Sequence, residues 1–146
     1  MSRMSKPRIA WFAAAPLGAI LGAIVLQAGT VDAHDAANVS QVFAQKLPNV
    51  PGNTMTAFLV SYEPGGKSDP HYHAGSVFAY VLTGEIRSQI GPDGAVKVYK
   101  AGESFFEPPG STHLVSENAS ATEPASLLAV FVADDNANLT QPGTRP

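Results

Sequence analysis

The sequence predicts an all-β fold, a single domain of short strands closed into a sandwich or barrel. Three observations predict it. From residue 38 onward, runs of β-favouring residues alternate with breaks rich in Gly, Pro, Asn and Asp, the punctuation of antiparallel strands. The 13 Gly and 12 Pro fall mostly in those breaks, so they mark turns and not disorder. Finally, 146 residues at 45% hydrophobic composition can fill one core and are too few for two comfortable ones.

Taken in order, the chain opens on an address. Arg3, Lys6 and Arg8 precede an uncharged stretch from Ile9 to Leu26, and Val31-Asp32-Ala33 follows as a cleavage-like end. A basic n-region, an apolar h-region and small residues before a cut describe a secretory signal peptide over residues 1–33. A permanent transmembrane anchor is the competing reading, because the uncharged stretch just reaches spanning length. Pro16, Gly18, Gly22 and the many alanines weaken it. With neither a twin arginine nor a cysteine, the expectation is export by the general route of a bacterium, unfolded. The mature protein is then periplasmic or secreted and has no stable membrane association. His34 becomes its first residue, where amine and imidazole together can chelate copper. The polar Asp35-Ala36-Ala37-Asn38 that follows offers nothing to fix it, so it reads as a loose start.

Residues 34–53 form an N-terminal arm. Within it Ala36–Leu47 reads either as a helix, from Val39, Val42, Phe43 and Leu47, or as an edge strand. Residues 54–133 carry the body. Thr54–Tyr62 ends at Glu63-Pro64-Gly65-Gly66, and Ser76–Leu82 stops at Thr83-Gly84. Glu85–Ile90 meets Gly91-Pro92-Asp93-Gly94, the best hairpin turn in the chain. Ala95–Tyr99, Ser104–Glu107, Thr112–Ser116 and Ser126–Ala133 complete the strands. The polar segment 134–146 reads as a flexible tail.

Charge narrows the partners. Residues 34–146 hold 6 Lys and Arg against 11 Asp and Glu, with no basic stripe, which excludes nucleic acid as a partner. The absence of cysteine excludes a disulfide framework, a thiolate nucleophile and a cysteine-based zinc site.

The chemistry lies in the histidines. In His71-Tyr72-His73 the two imidazoles are two residues apart, and in a strand such residues share a face. They can therefore grip one ion while Tyr72 points away. His113 follows Pro108-Pro109-Gly110 at the head of another predicted strand and closes a three-nitrogen face if the two strands are neighbours. A histidine-only set suits Zn, Cu, Fe or Ni better than Mg or Ca, which prefer oxygen.

Two stretches resemble the paired motifs of the cupin superfamily. The first is a glycine, five residues, H-x-H, three or four residues, a glutamate, six residues and a glycine. Gly65 through His71-Tyr72-His73 to Gly84 follows it. The second is a glycine, five residues, P-x-G, two residues and a histidine, and Gly102 through Pro108-Pro109-Gly110 to His113 follows that. The 17 residues between Gly84 and Gly102 suit a small single-domain member. The resemblance covers roughly residues 54 to 132 and implies a double-stranded β-helix, or jelly-roll, barrel that holds a divalent transition metal inside. The implied metal ligands are His71, His73 and His113.

The family's glutamate falls on Val77, and its asparagine after the last histidine falls on Glu117, with Asn118 beside it. Three neutral imidazoles leave the ion its full charge and an additional open position. Some cupins work with three histidines alone, including certain iron dioxygenases of thiols and diketones. Glu107 interrupts the apolar Phe105-Phe106 run. It is read foremost as a solvent-facing residue at the barrel mouth, and second as a ligand or catalytic acid/base. Glu63 and Asp69 read as turn residues, and Tyr62, Tyr72 and Tyr80 as packing with a polar tip. If Val77 points inward, Ala79 and Val81 share its face and make a small apolar wall.

The expected function is an exported metal-dependent enzyme, dioxygenase-like, acting on a small organic molecule, with iron the favoured ion and Zn, Ni, Mn or Cu as alternatives. A metal-dependent lyase or isomerase is a second expectation, and a non-catalytic module for a small ligand or metal is a third. The resemblance also suggests a homodimer.

Overall fold

The computed structural model describes residues 37–145, so the signal-peptide reading of residues 1–33 and the weighing of His34 lie outside the described residues. Among the described residues eleven strands follow one another: β1 (Asn38–Lys46), β2 (Asn53–Tyr62), β3 (Lys67–Ser68), β4 (His71–His73), β5 (Ser76–Thr83), β6 (Glu85–Ile90), β7 (Lys97–Lys100), β8 (Ser104–Glu107), β9 (Thr112–Asn118), β10 (Ala125–Asp134) and β11 (Thr140–Pro142). They form two antiparallel sheets, in the orders β1-β2-β10-β5-β8 and β11-β4-β9-β6-β7, with β3 added against β9. Sequence neighbours are repeatedly split between the sheets, as a jelly roll requires.

Period-two alternation explains the first sheet. In β5, Val77, Ala79 and Val81 are buried while Phe78, Tyr80 and Leu82 face out. In β10 every second residue from Ala125 to Ala133 is buried. Their register sets Ala129 against Ala79 and Phe58, and Phe131 against Val77 and Thr56. The core of Tyr62, Val77, Val81, Ile86, Leu127 and Phe131 lies between the two sheets.

The turn between β5 and β6 depends on Gly84. Its φ is +68°, and a Cβ there would stand 2.6 Å from the Pro124 carbonyl oxygen. Only glycine combines that left-handed backbone with so close an approach.

The arm is a strand and not a helix. β1 pairs with β2 at the sheet edge, and its register shifts between Gln41 and Phe43. That shift is a bulge, which adds a residue and breaks the period of two. Val39, Val42 and Phe43 are all exposed, so their helix-like spacing marks no buried face.

The expectation of a flexible tail fails over its second half. β11 pairs with β4, setting Thr140 opposite His73. The Gly143 N–H donates to the Pro70 carbonyl at 2.9 Å. Beyond it the Arg145 N–H donates to Thr112 Oγ1 at 2.8 Å, and the Arg145 guanidinium lies 4.3 Å from the centre of the Tyr72 ring. The polar composition suggested fraying, but these backbone pairs and the cation–π contact tie the segment down.

Candidate metal centre

The site is built where β4 meets β9. His71 and His113 are directly opposed across that pair, and His73 follows on the same face of β4. Ring centroids stand 4.9 Å apart for His71 and His73 and 5.2 Å apart for His71 and His113. One nitrogen from each ring lies within 4.8 Å of the others. His73 and His113 are buried, and His71 is half-buried.

Hydrogen bonds aim the rings. His71 Nδ1 is 2.7 Å from the Asp69 carbonyl, and His73 Nδ1 is 3.0 Å from the Leu139 carbonyl. A carbonyl only accepts, so each Nδ1 donates and each Nε2 keeps its lone pair for the site. His113 instead meets the Ser88 hydroxyl at Nε2, at 2.8 Å, and turns Nδ1 toward Glu107. Burial pushes His71 and His73 below the usual histidine pKa, against the opposing pull of Glu107 and of the backbone carbonyls. Both rings are therefore neutral, the form that binds metal.

Glu107 corrects the solvent-facing reading. It is 3% exposed, with Oε2 3.2 Å from His113 Nδ1 and 3.6 Å from His73 Nε2. The physical reason is strand alternation: β8 buries Phe105, exposes Phe106 and buries Glu107. Burial raises its carboxyl pKa, but the contact with His113 and the three imidazoles outweigh that and hold it below the usual range. Among the described residues, Oε2 is buried without a hydrogen-bond partner.

The fixed rings open onto a cavity of about 340 Å³, with Phe58, Val60, Phe105, Leu127, Ala129 and Phe131 forming its apolar side. Val77, Ala79 and Val81 do point inward, but they pack in the core and none of them lines the cavity, whose apolar wall comes from β2, β8 and β10 instead. Phe131 meets His73 edge-on at 4.9 Å and Phe58 at 5.4 Å. Tyr62 Oη bonds to Ser68 and Ser116, at 2.9 and 2.8 Å, so this buried hydroxyl is already satisfied. Tyr72 donates to Gln141 outside the cavity, and Tyr80 is exposed. Asp69 contributes its backbone carbonyl and not its carboxylate. Asn118 is a loop staple, donating to the Glu63 and Glu123 carbonyls and accepting from the Ser120 N–H. Glu117 pairs with Arg87.

Sequence reasoning missed Ser88, Leu139 and Thr140, the groups behind the rings. Ser88 was readable, since it shares a face with Ile86 in β6. Leu139 and Thr140 had no local signal. Two neutral, aimed imidazoles, a third beside them and an unpaired buried carboxylate oxygen fit a divalent transition ion.

Comparison with known proteins agrees with the fold that carries this site. A family model described as "Cupin domain" matches residues 58–131. Germin-like protein subfamily 2 member 2 of Arabidopsis thaliana is 33% identical over 112 residues, which are 72% of this chain and 48% of the relative. The chain thus spans about half the length of that curated relative. Among solved structures, a Klebsiella pneumoniae protein with a double-stranded β-helix domain superposes with a TM-score of 0.58 at 24% identity, covering 80% of this chain and 96% of that one. Oxalate decarboxylase from Bacillus subtilis gives a TM-score of 0.51 at 27% identity, over 60% of this chain and 23% of its own.

Proposed function

The chain belongs to the cupin family, and on that premise we propose that it is a metal-dependent enzyme of dioxygenase type acting on a small organic molecule. The observation that supports this most is the placing of three histidine nitrogens within 4.8 Å of one another beside an apolar cavity. His71, His73 and His113 hold the ion in this reading. When bound, the ion would supply one-electron exchange with oxygen and a positive charge that polarises a substrate oxygen. Iron suits that chemistry, with Zn, Ni, Mn or Cu as alternatives for the same nitrogens.

The rest falls to the protein. The Asp69 and Leu139 carbonyls hold the rings of His71 and His73 in one tautomer. Phe58, Leu127 and Phe131 exclude water and press a flat or branched apolar group toward the imidazoles. A cavity of about 340 Å³ lies near the lower end of the range for small-molecule sites, which favours a small substrate over a polymer. With residues 1–33 read as a removed signal peptide, the reaction takes place outside the cytoplasm.

A second reading, a metal-dependent lyase, is favoured by the likeness to oxalate decarboxylase. Oxygen uptake and carbon dioxide release separate the two. The protein is loaded with Fe(II) and then with Mn(II), and offered a panel of small thiols, diketones and carboxylic acids beside a His73→Ala control. Oxygen uptake that the control lacks supports the dioxygenase. Carbon dioxide release without oxygen uptake supports the lyase. Bound ion with neither would make the protein a binding module.

A further inference from the structure

Glu107 is the charged side chain that the three-histidine reading leaves without a task. It belongs to β8, at the edge of the sheet opposite the histidines, and every other residue that sheet turns toward them is uncharged. An ionisable group that is 3% exposed carries a large desolvation cost unless something compensates it. Its Oε2 has no hydrogen-bond partner among the described residues. His113 Nδ1 lies 3.2 Å from it and His73 Nε2 3.6 Å.

Those separations have a chemical meaning. Two ligand atoms each about 2.1 Å from one ion, at angles between 90° and tetrahedral, stand about 3.0–3.5 Å apart. Oε2 meets both histidine nitrogens at close to that spacing. We propose that Glu107 is a fourth ligand, a carboxylate that completes the set formed by His71, His73 and His113. This rests on the three-histidine metal site proposed above.

Register adds an independent observation. Val77 and Glu107 are direct partners across the β5–β8 pair, both buried and both facing the interior. Val77 occupies the place of the glutamate in the motif that the sequence resembles. A carboxylate carried on the next strand at the same level can reach the same ion from an adjacent backbone. The valine is then the apolar residue that fills the space left behind.

A carboxylate ligand also changes the order of preference among ions. Oxygen donors favour harder ions such as Mn(II), whereas imidazoles alone hold Zn(II) well. A ligand is thereby distinguished from a residue that only supports His113, whose loss would weaken all ions alike.

The test is metal titration of the wild-type protein, Glu107→Gln, the double variant Val77→Glu/Glu107→Val, and His73→Ala, with folding checked by circular dichroism. Free Mn(II) is followed by electron paramagnetic resonance, and Zn(II) by competition with a chelating dye. The expected result is one Mn(II) per wild-type chain, affinity at least about tenfold weaker in Glu107→Gln, and a much smaller loss for Zn(II). The double variant is expected to regain most of the Mn(II) affinity; if it does not fold, the contrast between Mn(II) and Zn(II) in the near-isosteric Glu107→Gln decides alone. Wild-type Mn(II) affinity in Glu107→Gln, with binding lost in His73→Ala, would overturn the fourth ligand and leave the three-histidine site standing. Equal weakening for both ions would overturn it in favour of support for His113. A wild-type protein that takes up neither ion would overturn both proposals.

Discussion

The two walls of the cavity are made of different chemistry. The sheet β1-β2-β10-β5-β8 turns Phe58, Val60, Leu127, Ala129 and Phe131 inward, and the facing sheet turns in His71, His73, His113, Ser88 and Ser116. One wall drives folding by burial, while the other holds its polar groups in hydrogen bonds and waits for a ligand. Glu107 and the Tyr62 hydroxyl are the polar groups that the apolar wall offers. Tyr62 is satisfied by Ser68 and Ser116, whereas Glu107 Oε2 is not. The contrast teaches that stability and chemistry are divided between sheets and meet at the β8 edge.

The apolar wall should fail by unfolding. Phe131 is 5% exposed and packs on both His73 and Phe58, so Phe131→Ala is expected to cost about 3–5 kcal/mol by chemical denaturation. Were the loss below about 1 kcal/mol, that wall would not be the source of stability claimed here.

The polar wall should fail by losing its ion while the fold persists. A stop after residue 138 removes the Leu139 carbonyl and Thr140, which lie 3.0 and 3.2 Å from His73 Nδ1. Metal affinity is expected to fall about 10–100-fold, read by competitive titration. Ser88→Ala removes the hydroxyl from His113 Nε2, and about tenfold is expected there. Unchanged affinity in both would show that the groups behind the rings do not aim them.

Acid should weaken the metal-free protein by a smaller, graded amount. His71 and His73 are held below their usual value when folded, so the unfolded chain takes up protons first as pH falls through about 6.5. Stability is therefore full above that pH and declines below it. Glu107, held low when folded, adds a further loss as pH falls through about 4. The melting temperature of the metal-free protein is expected to hold above about pH 6.5 and to drop from there to pH 5, and a flat profile would contradict neutral imidazoles at this site.

Much of this division was legible in the sequence. The runs Thr54–Tyr62 and Ser126–Ala133, which carry the apolar wall, were readable as strands, and the alternation of Val77, Ala79 and Val81 marked the core face of β5, because one buried face imposes a period of two. His71-Tyr72-His73 declared its shared face for the same reason. Glu107 obeys that alternation as well, two residues beyond Phe105. It was read outward because carboxylates are seldom buried alone, and only the facing imidazoles make that burial affordable. The role of Leu139 and Thr140 was not legible. β11 is three residues long, and its pairing with β4 joins segments 67 residues apart. No local propensity encodes such a contact, and β1, exposed along its whole length, has no buried face whose period could tell strand from helix.

The central claim is that the polar wall holds one ion through three histidines. Elemental analysis of the protein loaded separately with Fe(II), Mn(II) and Zn(II), then freed of excess, tests it most directly beside His73→Ala. The account predicts one ion per chain with at least one of these metals and its loss in the variant. No stoichiometric ion under any loading, or an ion retained unchanged by His73→Ala, would contradict it.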